Sequence, residues 1–528
     1  MKRIAQTALL SLVLVLSASS AATAAEKQYR HDVLVVGAGI AGLSAVWELT
    51  QKDVDVAVIE MAAAYGGTGL TSEGALCIVG TPVQEQAGEP DDPQIACRDF
   101  MTAGRDENGP GPDAAWVDYY VKSSRREIYD WLAGFGVHFE KKVILMPDNS
   151  VPRWHKVVGK GRGLLEPIYR ECRKSGKAKF HFGVKAVSLI RDKDGRMTGV
   201  SARRIKDGAV VHYHAPVVIL ATGGFQSNLD MVRKHWPADL PLPDSMLIGG
   251  GLNATGSGHE MAEAAGARFA NMHYQLNYPT GLKNPFDPSG RRGLNAYTDH
   301  SIWVNKTGKR FMSESRDTRK TFPEVARQPG GTYWAIFDDD ARKVFHVSGW
   351  SKEAIEARLF NNPHSSEVVK SAPTIKALAA AADLPPETLD ETVRRWNEMV
   401  AAGRDADFGR IGTSRSSWAH PPKIEKPPYY AVRFVPLTRK SMGGVVIDPS
   451  CRVLNASGKP IPGLYAVGEL TGLAGVNGKC TLEGTFLGAA ILTGRVAGRA
   501  ALAELREKKN DSPNPPSPEK EKKLQDGK

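Results

Sequence analysis

Three glycines and one acid, Gly37, Gly39, Gly42 and Glu60, are spaced to hold a dinucleotide. In Val35-Val36-Gly37-Ala38-Gly39-Ile40-Ala41-Gly42 the first glycine permits a tight turn, the second lets backbone approach a pyrophosphate, and the third lets a helix close on a strand. The phosphates would meet the positive end of that helix, and Glu60 would accept hydrogen bonds from ribose hydroxyls. The alternative, a tight strand-to-helix turn without a ligand, does not call for the acid after the second strand. Two further segments, Ala221-Thr222-Gly223-Gly224 and Gly468-Glu469, each follow an apolar run (Val217 to Leu220, Gly463 to Val467) that stops abruptly at glycine. Parallel strands end this way where their carboxyl ends face a ligand.

The elements that must position these residues are legible around them. Asp32 to Val36 and Val54 to Ile59 are apolar runs of strand length with a helix between. Val117, Tyr120, Val121, Ser124, Ile128 and Trp131 recur at helical spacing, as do Leu389, Val393, Trp396 and Val400. Their aromatics read as core. Ala and Gly are closely spaced from Phe486 to Leu505, as in a helix packed tightly on a sheet. The first nucleotide strand lies near the N-terminus and the last beyond residue 460. The stretch between them, 275–440, is then an insertion folding as a second domain, and the cleft between the two is the place for catalysis. The fold class is α/β, a Rossmann-like dinucleotide-binding domain (26–274 and 441–505) with an inserted α+β capping domain (275–440).

Lys2 and Arg3, an apolar run from about Ala8 to Leu16, and small residues ending in Ala22-Thr23-Ala24-Ala25 form a Sec-type secretory signal peptide over residues 1–25. Its apolar run is too short to cross a bilayer, and no cysteine or Arg-Arg pair marks lipidation or folded export. The expectation is a periplasmic or secreted protein with no membrane span, since no later stretch reads as apolar enough. Residues 506–528, rich in Lys, Glu and Pro, have little to bury and read as a disordered tail. The five cysteines, Cys77, Cys97, Cys172, Cys451 and Cys480, lack CxxC spacing, so neither a metal site nor a haem attachment is written here. Formal net charge is +11, falling to +9 once Lys2 and Arg3 are removed. No basic stretch is interleaved with aromatics, so nucleic acid is not a partner. The charge reads as solubility, with steering of an acidic partner or anionic substrate as the alternative.

Seven blocks in one order extend the reading: VVGAGIAGLSA at 35–45, GGTGLTSEGALCIVGT at 66–81, ATGGF at 221–225, TGSGHEMAEAAGA at 255–267, GKRFMSE at 308–314, SMGGVVID at 441–448 and GLYAVGELTG at 463–472. Over nearly the whole chain beyond residue 25 they resemble the flavoproteins of the fumarate reductase and succinate dehydrogenase family, which includes soluble flavocytochrome c fumarate reductases, urocanate reductase and ketosteroid dehydrogenases. The resemblance implies an FAD-binding domain, a mobile cap, and hydride transfer between flavin N5 and a carbon beside an electron-withdrawing group. It implies that FAD is held by Gly37, Ala38, Gly39, Ile40, Ala41, Gly42, Glu60 and Met61; by Gly66, Gly67, Thr68, Ser72, Glu73 and Gly74; and by Ala186. The remaining cofactor positions are Ala221, Thr222, Gly223, Gly224, Gly468, Glu469, Gly484, Thr485 and Leu487. N–H groups opening the last helix would stabilise negative charge on the reduced ring. The histidine that tethers flavin in many relatives is absent from 66–76, so FAD is non-covalent. With neither a haem motif nor a second nucleotide fingerprint, the electron partner is a separate periplasmic cytochrome or a quinone-linked protein.

The match breaks at the substrate. Where the family has His-Pro-Thr, this chain has Tyr278-Pro279-Thr280, as in the urocanate-reducing branch. The family's second histidine falls on Lys440, and the arginine heading its last motif falls on Thr481. Fumarate is therefore not the expected substrate. The proton-donating arginine of relatives falls on Thr318, flanked by Arg316 and Arg319, either of which is a candidate beside surface pairing. An arginine needs carboxylates to relay its proton, for which Glu314 and Asp317 stand nearby. Arg292 resembles the family's relay arginine in a longer loop. His259 reads as core or capping with substrate contact as the alternative, Arg153-Trp154-His155-Lys156 resembles a family segment near the FAD-domain surface or is a solvated basic loop, and Lys479 reads as a weaker partner for a substrate oxygen than Lys440.

The resulting expectation is an FAD-dependent oxidoreductase acting on an activated C=C or CH–CH bond of a small carbonyl or carboxylate compound. Catalytic candidates are Arg319, Arg316, Tyr278, Lys440, Glu314 and Arg292. One alternative is a 3-ketosteroid dehydrogenase-like enzyme, in which Tyr278 and Tyr297 carry the proton chemistry. Another is a flavin electron-transfer or binding protein without substrate chemistry.

Overall fold

Val33–Val36 and Val56–Glu60 are strands buried on both faces, which is why they read as unbroken apolar runs rather than alternating ones. With Val217–Leu220, Ala178–Phe182 and Pro460–Ala466 they form the parallel part of a six-stranded sheet, edged by the antiparallel strand Arg452–Leu454. Its centre pairs Val217–Leu220 with Val33–Val36, so two strand ends meet beside one turn. The computed structural model describes residues 27–315, 317–413, 417–479 and 482–511. The expected signal segment, Arg316, Cys480, Thr481 and the end of the tail lie outside the described residues. The nucleotide-binding part has the expected α/β form, a Rossmann-like core sheet.

Ile40–Thr50 packs one face of this sheet, and the last helix, Thr485–Asp511, packs on Ile40–Thr50. Small residues permit the closeness: a Cβ added to Gly494 would stand 2.2 Å from the Ala41 carbonyl oxygen. This last helix corrects two expectations. It runs to Asp511, beyond Leu505, because Glu504 is anchored by Arg196 and by the Tyr465 hydroxyl at 2.6 Å. Its segment Thr485–Lys508 is also long and apolar enough to cross a membrane by length and composition, but 61% of that apolar window is buried within the protein. It is the core helix of this domain.

Residues 275–441 build the cap around an eight-stranded sheet whose centre is the long strand Tyr429–Ser441. The chain enters on Gln275–Lys283 and leaves on Tyr429–Ser441, and these two strands pair antiparallel, Gln275 opposite Ser441 and Leu276 opposite Lys440. The sheet also recruits Leu247–Ile248 from upstream of the insertion. Pro386–Ala401 buries Leu389, Val393 and Trp396, the expected face, against one side of the cap sheet.

Candidate active site

Strand Val33–Val36 ends in Gly37 at φ 109°, where a Cβ would lie 2.3 Å from the Ala221 carbonyl oxygen. A Cβ at Gly42 would lie 2.0 Å from the Gly37 oxygen. Glycine is therefore required at both by contact. The buried Glu60 carboxylate closes the turn from the second strand, accepting from the Ala38 N–H at 2.9 Å and the Ala62 N–H at 2.8 Å. The Gly66 N–H donates to the Ala38 oxygen at 2.9 Å, laying the 66–74 segment directly on the dinucleotide turn. Ser72 caps the short helix Gly67–Leu70 by donating to the Gly69 oxygen, and its hydroxyl accepts from the Gly74 N–H. Thr68 abuts Gly251, whose added Cβ would stand 2.1 Å from the Thr68 hydroxyl.

On the neighbouring strand end, the Thr222 hydroxyl is buried without a partner among the described residues. An orphaned donor beside a glycine cradle and a buried acid is what a bound dinucleotide would complete. These residues fit FAD. Gly484, at φ 90°, presses the Cys77 N–H and accepts its hydrogen bond, fixing where the last helix begins. Thr485 accepts from Asn477 at 2.7 Å and Leu487 lies against Gly69. Glu73 instead forms a half-exposed ion pair with Lys160 at 3.0 Å, and Ala186 is buried in a second core with Ile59 and Met261. Glu469 is partly buried and accepts from the Ser441 N–H at 3.0 Å, tying the exit strand of the cap to the nucleotide sheet. Burial raises its carboxyl above the ordinary value, and the Ser441 hydrogen bonds and Lys440 offset that only in part.

Around the paired cap strands a cluster of charge is assembled. The Tyr278 hydroxyl donates to Glu483 Oε1 at 3.2 Å, and the Arg439 guanidinium lies 5.7 Å from the Tyr278 ring centre. Arg439 Nη1 donates to the Gly249 oxygen at 2.7 Å, while its Nε is buried without a partner among the described residues. Lys440 Nζ sits 3.7 Å from the Phe486 ring centre. Burial raises the Tyr278 phenol, reinforced by the Glu483 charge and opposed by Arg439. Burial also lowers the Lys440 ammonium to about 8, aided by Arg439 and opposed by Glu469 and Glu483. Perturbed groups of both signs gathered at a domain junction make this cluster the candidate functional site.

The other candidates lie elsewhere. Arg319 pairs with Asp148 at 2.6 Å and Asp317 at 3.1 Å, with its side chain 36% exposed. Asp317 caps the helix Thr318–Ala326 by accepting from the Arg319 N–H. Glu314 is buried inside the cap, bonded to Arg310 at 2.7 Å, Arg410 at 3.2 Å and the Trp303 N–H at 3.0 Å. Arg292 is exposed on a hairpin whose backbone is held by Asp287. Tyr297 packs on His346 and Trp418 in the cap core, whereas Tyr278 packs on the nucleotide-domain core.

His259 is buried between Phe225 and Phe269, and burial lowers it to about 3. Residues 153–156 are not a solvated loop: Trp154–Lys156 is a strand, and Arg153 and His155 are buried. Asp91 and Asp99 hold Arg153 at 2.7 and 2.5 Å, and Thr81 meets His155 at 2.7 Å. Lys479 bridges Asp106 and Asp239. A cleft of about 820 Å³ between the cap and the segment at Asp244, lined also by Lys306, Trp334 and Arg433, contains none of the candidates. Arg439 and Glu483 were missed in the sequence. Their only signals are a cation beside Lys440 and an acid directly before Gly484.

Residues 32–487 match the family described as FAD binding domain. The chain is 30% identical to a fumarate reductase (cytochrome) of Shewanella frigidimarina over 490 residues, 92% of this chain and 79% of that protein. It is likewise 30% identical to a KsdD-like steroid dehydrogenase of Mycolicibacterium smegmatis over 548 aligned positions, 90% of this chain and 99% of that one. Among solved structures, the open conformation of a flavocytochrome c3 fumarate reductase superposes with a TM-score of 0.75 at 28% identity, covering 90% of this chain and 79% of that chain.

Proposed function

This chain belongs to the FAD-binding-domain flavoprotein family, an FAD-dependent oxidoreductase acting on CH–CH bonds of small molecules, and from that premise we propose a substrate with a carbonyl or a single carboxylate. The observation that carries the reading is the Tyr278–Glu483 contact beside Arg439 and Lys440. A pocket for two carboxylates would need cations at both ends, and an acid such as Glu483 in it opposes a second carboxylate. Fumarate is accordingly a poor substrate in this proposal. Non-covalent FAD, held by the Gly37–Gly42 turn, Glu60 and the 66–74 and 484–487 segments, supplies or accepts the hydride when bound. Lys440 and Arg439 hold the electron-withdrawing oxygen, and Tyr278 handles the proton at the neighbouring carbon.

The electrons come from a separate partner, which we take to be a cytochrome or quinone-linked protein of the periplasm, where the N-terminal signal sends this chain. Cell fractionation with detection of a shortened product tests the address. The decisive experiment reduces the protein with methyl viologen and screens enones, enoates and fumarate for reoxidation of the flavin. Rapid reoxidation by a monofunctional compound and slow reoxidation by fumarate is the expected result. The reverse order overturns the substrate assignment, and no reoxidation by any compound leaves a flavin electron carrier.

A second reading is favoured by the phenol at Tyr278 and by the steroid dehydrogenase relative. In it the substrate is a ketosteroid, Tyr278 serves as acid or base, and steroid addition bleaches the oxidised flavin.

A further inference from the structure

We propose that Glu483 is a positioning residue that passes protons to and from Tyr278, making the pair a two-link relay into the substrate pocket. The proposal rests on the enzyme reading above. A phenol carries a single proton. While the Tyr278 hydroxyl donates to the Glu483 carboxylate at 3.2 Å, that proton is unavailable to a substrate carbon. When Glu483 itself carries a proton it becomes the donor, and the Tyr278 proton is released toward the pocket. The state of Glu483 thus selects whether Tyr278 gives or receives.

Among the described residues, the other charged groups around the pair bind or brace and do not donate to the phenol's carboxylate partner. Arg439 covers the Tyr278 ring and donates to the Gly249 oxygen, and a guanidinium does not release its proton. Lys440 stands on Phe486, and Glu469 is held by Ser441. Glu483 is the carboxylate whose described side-chain partner is the phenol. In reduction, hydride carrying both electrons adds to one carbon of the C=C bond. The neighbouring carbon takes the Tyr278 proton as its O–H bond breaks, the Glu483 carboxyl proton moves to the Tyr278 oxygen, and water reprotonates Glu483. Dehydrogenation is the reverse, with the proton leaving through Glu483.

The test compares wild-type holoenzyme with Glu483→Gln, Glu483→Asp and Tyr278→Phe, using a compound that reoxidises the wild-type flavin. Glutamine can still donate to the phenol oxygen but cannot release a proton. Glu483→Gln should keep its FAD and KM while kcat falls about a hundredfold or more. The pH dependence of kcat expected of wild type and Glu483→Asp should be absent from Glu483→Gln, and the double variant with Tyr278→Phe should be no slower than Tyr278→Phe alone. Glu483→Gln with wild-type kcat and pH profile overturns the relay while leaving the enzyme reading intact. If no compound reoxidises the wild type, both fall. A substrate-free arm uses holoenzyme labelled at the tyrosine phenolic carbon. The NMR signal that vanishes in Tyr278→Phe should move in Glu483→Gln, and an unmoved signal overturns the pairing whether or not turnover changes.

Discussion

The Lys440 ammonium rests 3.7 Å from the centre of the Phe486 ring, joining the exit strand of the cap to the first turn of the last helix. Because burial lowers this lysine to about 8, the cation is present below that pH and is lost as pH rises through it. Substrate binding should therefore weaken above about pH 8, with KM rising up to about tenfold per pH unit while FAD remains bound. Lys440→Met should raise KM at lower pH and abolish the dependence. A wild-type KM that stays flat across this range would remove Lys440 from oxygen binding.

Glu314 should matter to the cap rather than to the chemistry. Burial alone would raise its carboxyl, but Arg310 and Arg410 hold it below the ordinary glutamate value of 4.5. Its stabilising contribution is then fully present above that value and is lost as pH falls through the lower folded value. Glu314→Ala leaves two buried guanidiniums short of a partner, at a cost of about 3–5 kcal/mol. Calorimetry should show a cap transition shifted down in this variant and in acid. An unchanged melting profile would contradict the role.

The Arg319–Asp148 pair joins the cap to the nucleotide domain across partly exposed surface. Exposed pairs contribute about 0–1 kcal/mol. Arg319→Ala should keep FAD and lose less than about 1 kcal/mol of stability, with turnover near that of wild type. Turnover abolished with FAD still bound would restore Arg319 as the proton donor.

The glycine cradle gives a harsher outcome. Gly42→Ala would place a methyl 2.0 Å from the Gly37 oxygen, against backbone that cannot yield cheaply. The purified variant should lack the yellow of bound flavin and melt earlier than wild type. In wild type, acid precipitation should leave the colour in the supernatant, as non-covalent FAD requires. Colour in the pellet would mean a covalent link.

What the sequence revealed follows from how local each signal is. Gly37, Gly42 and Glu60 are spaced along one strand-turn-helix-strand unit, and the structure places them against one another as that spacing demands. The apolar runs at 32–36, 54–59 and 217–220 announced strands for the same reason, and the structure has them at Val33–Val36, Val56–Glu60 and Val217–Leu220. Tyr278 and Lys440 were found through motif position, but Glu483 and Arg439 were not. Their roles depend on pairing between segments some 160 to 200 residues apart, which no periodicity records. Glu314 shows the converse limit: an acid beside arginines in sequence looks like relay chemistry until Arg410, nearly a hundred residues on, places it inside the cap.

Both covalent crossings into the cap belong to one antiparallel ribbon, anchored at its base where Ser441 donates to Glu469. Such a ribbon acts as a fulcrum: swinging the cap displaces its outer helices in proportion to their distance from the base, while residues at the base barely travel. Tyr278, Arg439 and Lys440 all stand within a few positions of that pivot. A cap swung about this ribbon would move widely at its rim while Tyr278, Arg439 and Lys440 stayed in register with the cofactor cradle.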